Sequence, residues 1–157
     1  MVYEDDVWTE TSENRDRELA AKEFLRAPVR CEREIERMHQ RISYLRARVS
    51  SINARLKPDR VRSSPDPTQA QRLMAEIVDL EREIPLYEQR RDEALEEVSL
   101  ALSRLPEQFL TDIMEMRYLR GMQWREIENE VCYSYAWLMK LHSRALAMLE
   151  FPGSDEI

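Results

Sequence analysis

The sequence predicts an all-α protein, with a long antiparallel coiled-coil hairpin followed by a three-helix helix-turn-helix unit. Three observations predict it. Apolar residues recur at alternating steps of four and three over two long stretches, the 3.5-residue period of a coiled-coil seam. Charged residues make up 35% of the 157 residues and there are only two glycines, too few for the tight turns of a β-rich fold. Beyond residue 105 the long period gives way to three short helical patterns separated by cap and turn signals.

Residues 1–14 read as an acidic tail. The first thirteen carry five acidic side chains and no basic one, with Tyr3, Val7 and Trp8 as the only large apolar residues. A first helix is predicted over about 15–57, with Cys31, Ile35, Met38, Ile42, Leu45, Val49, Ile52 and Leu56 on its seam. Phe24 and Pro28 extend that register towards the N-terminus. Pro28 lacks a backbone donor and crowds the preceding turn, which predicts a kink there. The stretch 15–57 holds twelve basic and six acidic residues.

Residues 58–66, with two prolines and two serines, predict a break. Asp66 as N-cap, Pro67 at the first helical position and Gln69 completing a capping box then predict the start of a second helix over about 67–104. Its seam is Leu73, Ile77, Leu80, Ile84, Tyr87, Arg91, Ala94, Val98, Ala101 and Leu105, and Pro85 predicts a bend or broken turn. Residues 68–100 hold nine acidic and four basic side chains, so the two seams carry opposite charge. Setting Ile52 opposite Ile77 keeps the antiparallel seams matched and brings Cys31 near Val98. Arg91, a charge on a seam, is expected to reach out to a glutamate of the first helix. Leu95, Leu102, Met74 and Val78 lie beside the seam, facing either the C-terminal unit or a second copy; a homodimer is the expected assembly.

Cys31, Cys132, His39 and His142 are isolated in sequence, with no second ligand at metal-binding spacing, so packed thiols and no metal or cofactor are expected. No apolar run is long enough to span a bilayer, and the opening MVYEDDVWTE has no basic segment followed by an apolar one; a cytoplasmic protein without membrane contact is expected. No nucleophile–base pair or phosphate-binding glycine loop stands out, which points to a binding module and not an enzyme.

Residues 106–150 form the C-terminal unit, with 151–157 as a tail. Pro106 opens a helix ending near Leu119, with Phe109, Leu110, Ile113, Met114 and Met116 inward and Gly121 just past its end as a left-handed cap. A short helix follows over 124–131, with Trp124 as its core anchor. Ser134 is a natural N-cap for a last helix over 135–149, which has Leu138, Leu141, Ala145, Met148 and Leu149 on one side.

The stretch LPEQFLTDIMEMRYLRGMQWREIENEVCYSYAWLMKLHSRAL resembles region four of sigma factors, which reads the promoter −35 element. Arg117-Tyr118-Leu119, Gly121, Trp124, Glu126-Ile127, Tyr133-Ser134, Leu141-His142 and Arg144-Ala145-Leu146 carry the likeness. With the opening AAKEFLR and the later IVDLEREI, the chain is similar to phage late-gene transcription regulators of the ArpU and RinA type, which join such a unit to a long helical N-terminal region. Two positions depart from the pattern. Glu128 stands where a small residue is usual, and Cys132 where the turn has glycine. A side chain at positive φ costs on the order of 1 kcal/mol, which predicts a looser turn.

The resemblance implies a sequence-specific, DNA-binding transcription regulator, phage or prophage borne, with double-stranded DNA as partner and RNA polymerase as a second one. Helical geometry turns Ala136, Met139, Lys140, Ser143 and Ala147 outward, with Tyr135 and Arg144 on the flanks. The expected base-side contacts are Tyr135, Ala136, Lys140 and Ser143, and the expected phosphate contacts are Arg117, Arg120, Arg125 and Arg144. Trp137 is expected as a partly buried core-edge residue, with stacking at the DNA backbone as the alternative. Seven acidic against five basic residues in 106–150 is a poor footprint for DNA. Two other functions share these features: a coiled-coil interaction module with a vestigial helix-turn-helix, and a phage DNA-packaging subunit.

Overall fold

The computed structural model describes residues 12–55 and 67–156. The acidic segment 1–11 with Trp8, the break at 58–66 and the Asp66 cap lie outside the described residues. The described chain is all-helical: α1 (Ser12–Arg55), α2 (Pro67–Ser103), α3 (Gln108–Tyr118), α4 (Trp124–Val131), α5 (Tyr135–Met148) and a 3₁₀ turn (Ser154–Glu156). Among the described residues there is no strand, and no helix is long and apolar enough to cross a membrane. Pro28 and Pro85 both lie inside unbroken helices, so neither ends its element. Pro106 falls just before the α3 N-cap, Glu107, and not within the first turn.

Packing divides the chain into two compact units that cut across α1 and α2. One unit, Pro28–Glu93, contains the later part of α1 and most of α2. Its core is Ile35, Met38, Ile42, Leu45, Ile77 and Ile84, with Val49, Leu73, Leu80 and Tyr87 packed at the edges. These are the seam residues that the 3.5-residue period picks out. Among the described residues, the ion pairs Glu32–Arg91, Arg41–Glu76 and Arg46–Glu81 link the two helices. Arg91 reaches Glu32 at 2.8 Å and Asp92 at 3.0 Å, so the seam arginine does extend to a first-helix glutamate.

The pairs correct the expected register. They join 41 to 76, 46 to 81 and 32 to 91, where the expected register sets 88, 83 and 97 opposite, so each partner lies nearer the start of α2, by about seven residues on average. That is one heptad from Ile52 opposite Ile77. A slip of seven residues keeps every apolar position on the seam, so the hydrophobic pattern alone cannot tell the two registers apart.

The other unit comprises the residues up to Ala27 and those from Ala94 onward. Its core joins Ala21 and Leu25 of α1, Val98, Ala101 and Leu102 of α2, and Leu110, Ile113, Met114, Ile127, Leu138, Leu141, Ala145, Leu146 and Leu149. Leu102, beside the seam in sequence, is fully buried here, whereas Leu95, Met74 and Val78 stay exposed. Thr111 is buried and its hydroxyl donates at 3.1 Å to the Leu102 carbonyl near the end of α2, which also accepts the Leu105 N–H. Arg17 donates to the carbonyls of Ser154 and Leu149, and Phe24 stacks on Phe151 at 5.4 Å, tying the C-terminal segment to α1. On α5 the buried face is wider than five residues. His142 and Leu146 are buried with it, while Met148 points to solvent.

Candidate nucleic-acid interface

The site is built from the ends of three short helices. At the end of α3 the N–H groups of Leu119, Arg120 and Met122 donate to the carbonyls of Glu115 and Met116, and Gly121 takes φ 69°. Arg117 turns inward at this bend. Its guanidinium donates to the Met122 carbonyl at 2.9 Å and lies 5.1 Å from the centre of the Trp124 ring. At the start of α4 the Gln123 N–H donates to the Glu126 carboxylate at 2.6 Å, half of a capping box.

α4 ends on Cys132, which adopts the left-handed conformation at φ 57° and ψ 33° with its N–H on the Glu128 carbonyl. The turn is therefore formed in the geometry that glycine favours, and not loosened. Its cost is local strain at a residue bearing a side chain. Cys132 is exposed, not packed, and Cys31 is half-buried. Cys132→Gly is expected to raise stability by up to about 1 kcal/mol, because relief of the strain outweighs the added chain entropy of glycine. Urea unfolding of the two forms checks it, and a loss of stability contradicts it.

Ser134 caps α5, its hydroxyl accepting from the Trp137 N–H at 3.3 Å. Glu128 adds a second cap, its carboxylate accepting from the Tyr135 N–H at 3.1 Å. This gives the unusual glutamate a physical role. It sets a negative charge on the positive end of the α5 dipole, where an anion would otherwise bind.

The outer face of α5 presents Tyr135, Ala136, Lys140 and Ser143, all exposed. Met139, expected outward, is half-buried against the core. Arg144 is exposed but forms an ion pair with Glu107 at the start of α3. Arg120 is exposed in the α3–α4 connection and Arg125 in the first turn of α4. Five of the eight expected contact residues thus share α5, two lie at the α3–α4 junction, and Arg117 is held in a structural contact.

Trp137 is 47% exposed, so partly buried as expected, and Tyr133 is 43% exposed with its ring edge-on to Phe109 at 5.2 Å. Two features of the site were not expected from the sequence. With Leu141, Trp137 and Tyr133 line a shallow groove of about 550 Å³, bounded by Glu107 and Arg144. Behind α5, His142 is buried with Nε2 2.8 Å from the Tyr118 hydroxyl and its ring edge-on to Trp124 at 4.8 Å. Burial, reinforced by Lys22, lowers the His142 pKa to about 4, and burial raises that of Tyr118. The signal for His142 was present: it lies four residues after Leu138 and three before Ala145, on the inner face.

Compared with protein-family models, with curated proteins and with solved structures, the chain finds no match.

Proposed function

We propose that the chain is a sequence-specific DNA-binding transcription regulator, phage or prophage borne. In this reading an antiparallel coiled-coil hairpin carries a helix-turn-helix unit that lays α5 in the major groove. The observation that carries it is the exposed row Tyr135, Ala136, Lys140 and Ser143, presented by a helix that is capped at Ser134 and joined to α4 through the left-handed Cys132. Ala136 suits a thymine methyl and Lys140 the acceptors of guanine. Arg120, Arg125 and Arg144 serve the phosphates. No residue is assigned a catalytic role. A homodimer, with RNA polymerase alongside, raises the effective concentration that a weakly basic unit needs.

Lys140→Ala combined with Arg144→Ala is expected to weaken binding to a specific duplex by about 100-fold or more, at roughly 1–3 kcal/mol per contact, with unchanged helicity. Titration of the two forms against the same duplex checks it. Equal affinity would mean that the recognition face is misassigned.

A second reading, a coiled-coil module whose helix-turn-helix contacts protein, is favoured by Glu128 at the α5 N-terminus and by the exposed Tyr133 and Trp137. Glu128→Gln separates the two. If α5 meets DNA, removing this charge strengthens duplex binding severalfold while costing about 0.3–1 kcal/mol of stability. No gain in affinity favours the protein-contact reading.

A further inference from the structure

We propose that α1 carries a second duplex-DNA contact within the Pro28–Glu93 unit, a stripe of arginines that grips the phosphate backbone independently of α5. Arg33, Arg37, Arg41, Tyr44, Arg48 and Arg55 recur at steps of four, four, three, four and seven. At 100° per residue they fall within an arc of about 80°, beside the apolar seam and not on it. All six are exposed.

Three observations set this stripe apart from the charge-laced face of an ordinary coiled coil. Such a face mixes both signs, yet residues 37–55 contain five arginines and no acidic residue. The facing helix answers only part of that charge. Arg41 pairs with Glu76 and Arg46 with Glu81, and Arg37 pairs with Glu34 on its own helix, while Arg33, Arg48 and Arg55 form no ion pair among the described residues. Finally, Tyr44 is 52% exposed between two guanidiniums, with Arg41 at 5.5 Å and Arg48 at 5.9 Å from its ring centre. The ring contacts both guanidiniums, and Arg48 also donates to the Tyr44 hydroxyl at 3.5 Å.

The chemistry favours phosphate. Every cation of the stripe is an arginine, and the guanidinium fork binds phosphate oxygens in pairs where an ammonium acts as a point charge. From Arg33 to Arg55 it runs about 33 Å at 1.5 Å per residue, close to the roughly 34 Å turn of a duplex. A regular polyanion of that length matches the array, whereas an acidic protein surface would have to supply carboxylates along the whole line.

The test uses the full chain and a random-sequence duplex, so that it does not depend on the α5 reading. Arg33→Gln, Arg48→Gln and Arg55→Gln together are expected to lower affinity about tenfold or more. They are also expected to flatten the dependence of log Kd on log salt by two to three, at about 0.9 per phosphate contact. The matching triple lysine variant keeps the charge and is expected to keep the slope. Lys140→Ala is expected to change that slope by no more than about one, so failure at α5 and failure at the stripe are distinguishable. An unchanged slope in the triple glutamine variant overturns the proposal. So does a parent chain that binds polyglutamate but no duplex at low salt.

Discussion

Leu138→Ala is expected to destabilise the unit built around α5 by about 2–5 kcal/mol. Leu138 is fully buried in the cluster that joins α5 to α3, α4 and the first part of α1. Truncating it removes apolar surface from the core and leaves a cavity that rigid helices can only partly fill. The loss is large against the roughly 5–15 kcal/mol that separates a typical domain from its unfolded state. Urea unfolding followed by circular dichroism should show the midpoint falling with an unchanged slope. A shift below about 0.5 kcal/mol would mean that α5 does not pack through this face. The same variant should lose DNA binding in proportion to its unfolded fraction, unlike the Lys140 and Arg144 substitutions, which leave the fold intact.

The stability of the same unit is expected to fall between about pH 6.5 and pH 4. His142 is buried beside Tyr118 and Trp124, and its folded pKa is lowered to about 4 from an ordinary value of 6.5. In that window the unfolded chain binds a proton that the folded chain does not, so stability rises with pH through the window and is lost as pH falls. Below about pH 4 this contribution is spent, because both states are then protonated. A shift of this size corresponds to roughly 3 kcal/mol at most. His142→Gln is expected to cost stability at neutral pH and to show a flatter profile from pH 6.5 to 4. Unfolding free energies of both forms across that range isolate the histidine from the carboxylates they share. Parallel profiles would remove His142 as the cause, as would an imidazole that titrates near 6.5 in the native chain.

How much was legible in the sequence depended on whether the deciding contact was local. α4 falls at its expected bounds because its signals are local. Gly121 ends the preceding turn, and Cys132–Ser134 mark the next one. Ser134 caps α5 for the same reason. The coiled-coil register was not legible, because residues seven apart on a seam are equivalent until cross-helix charges such as Arg41–Glu76 choose between them. The outward row on α5 followed from helical geometry, but Met139 and Met148 exchanged expected places because several elements crowd α5 and widen its buried face. The contacts that most change the electrostatics of the site join residues distant in sequence. Arg144 is held by Glu107, 37 positions away, and Tyr135 is capped by Glu128 across the turn. No local pattern marks such pairs. They explain why the net acidity of residues 106–150 overstates the problem in one place and understates it in another. Glu128 opposes an anion at the α5 N-terminus, while the Glu107 carboxylate is already balanced by Arg144.

The central claim is that α5 reads a duplex. It is tested most directly by incubating the full chain with fragments of its source genome at low and moderate salt and sequencing the retained DNA. The account predicts that a discrete site survives at both salt concentrations and is lost with Lys140→Ala and Arg144→Ala together. Retention of all fragments alike at low salt and none at moderate salt, or identical recovery by the double variant, would contradict it.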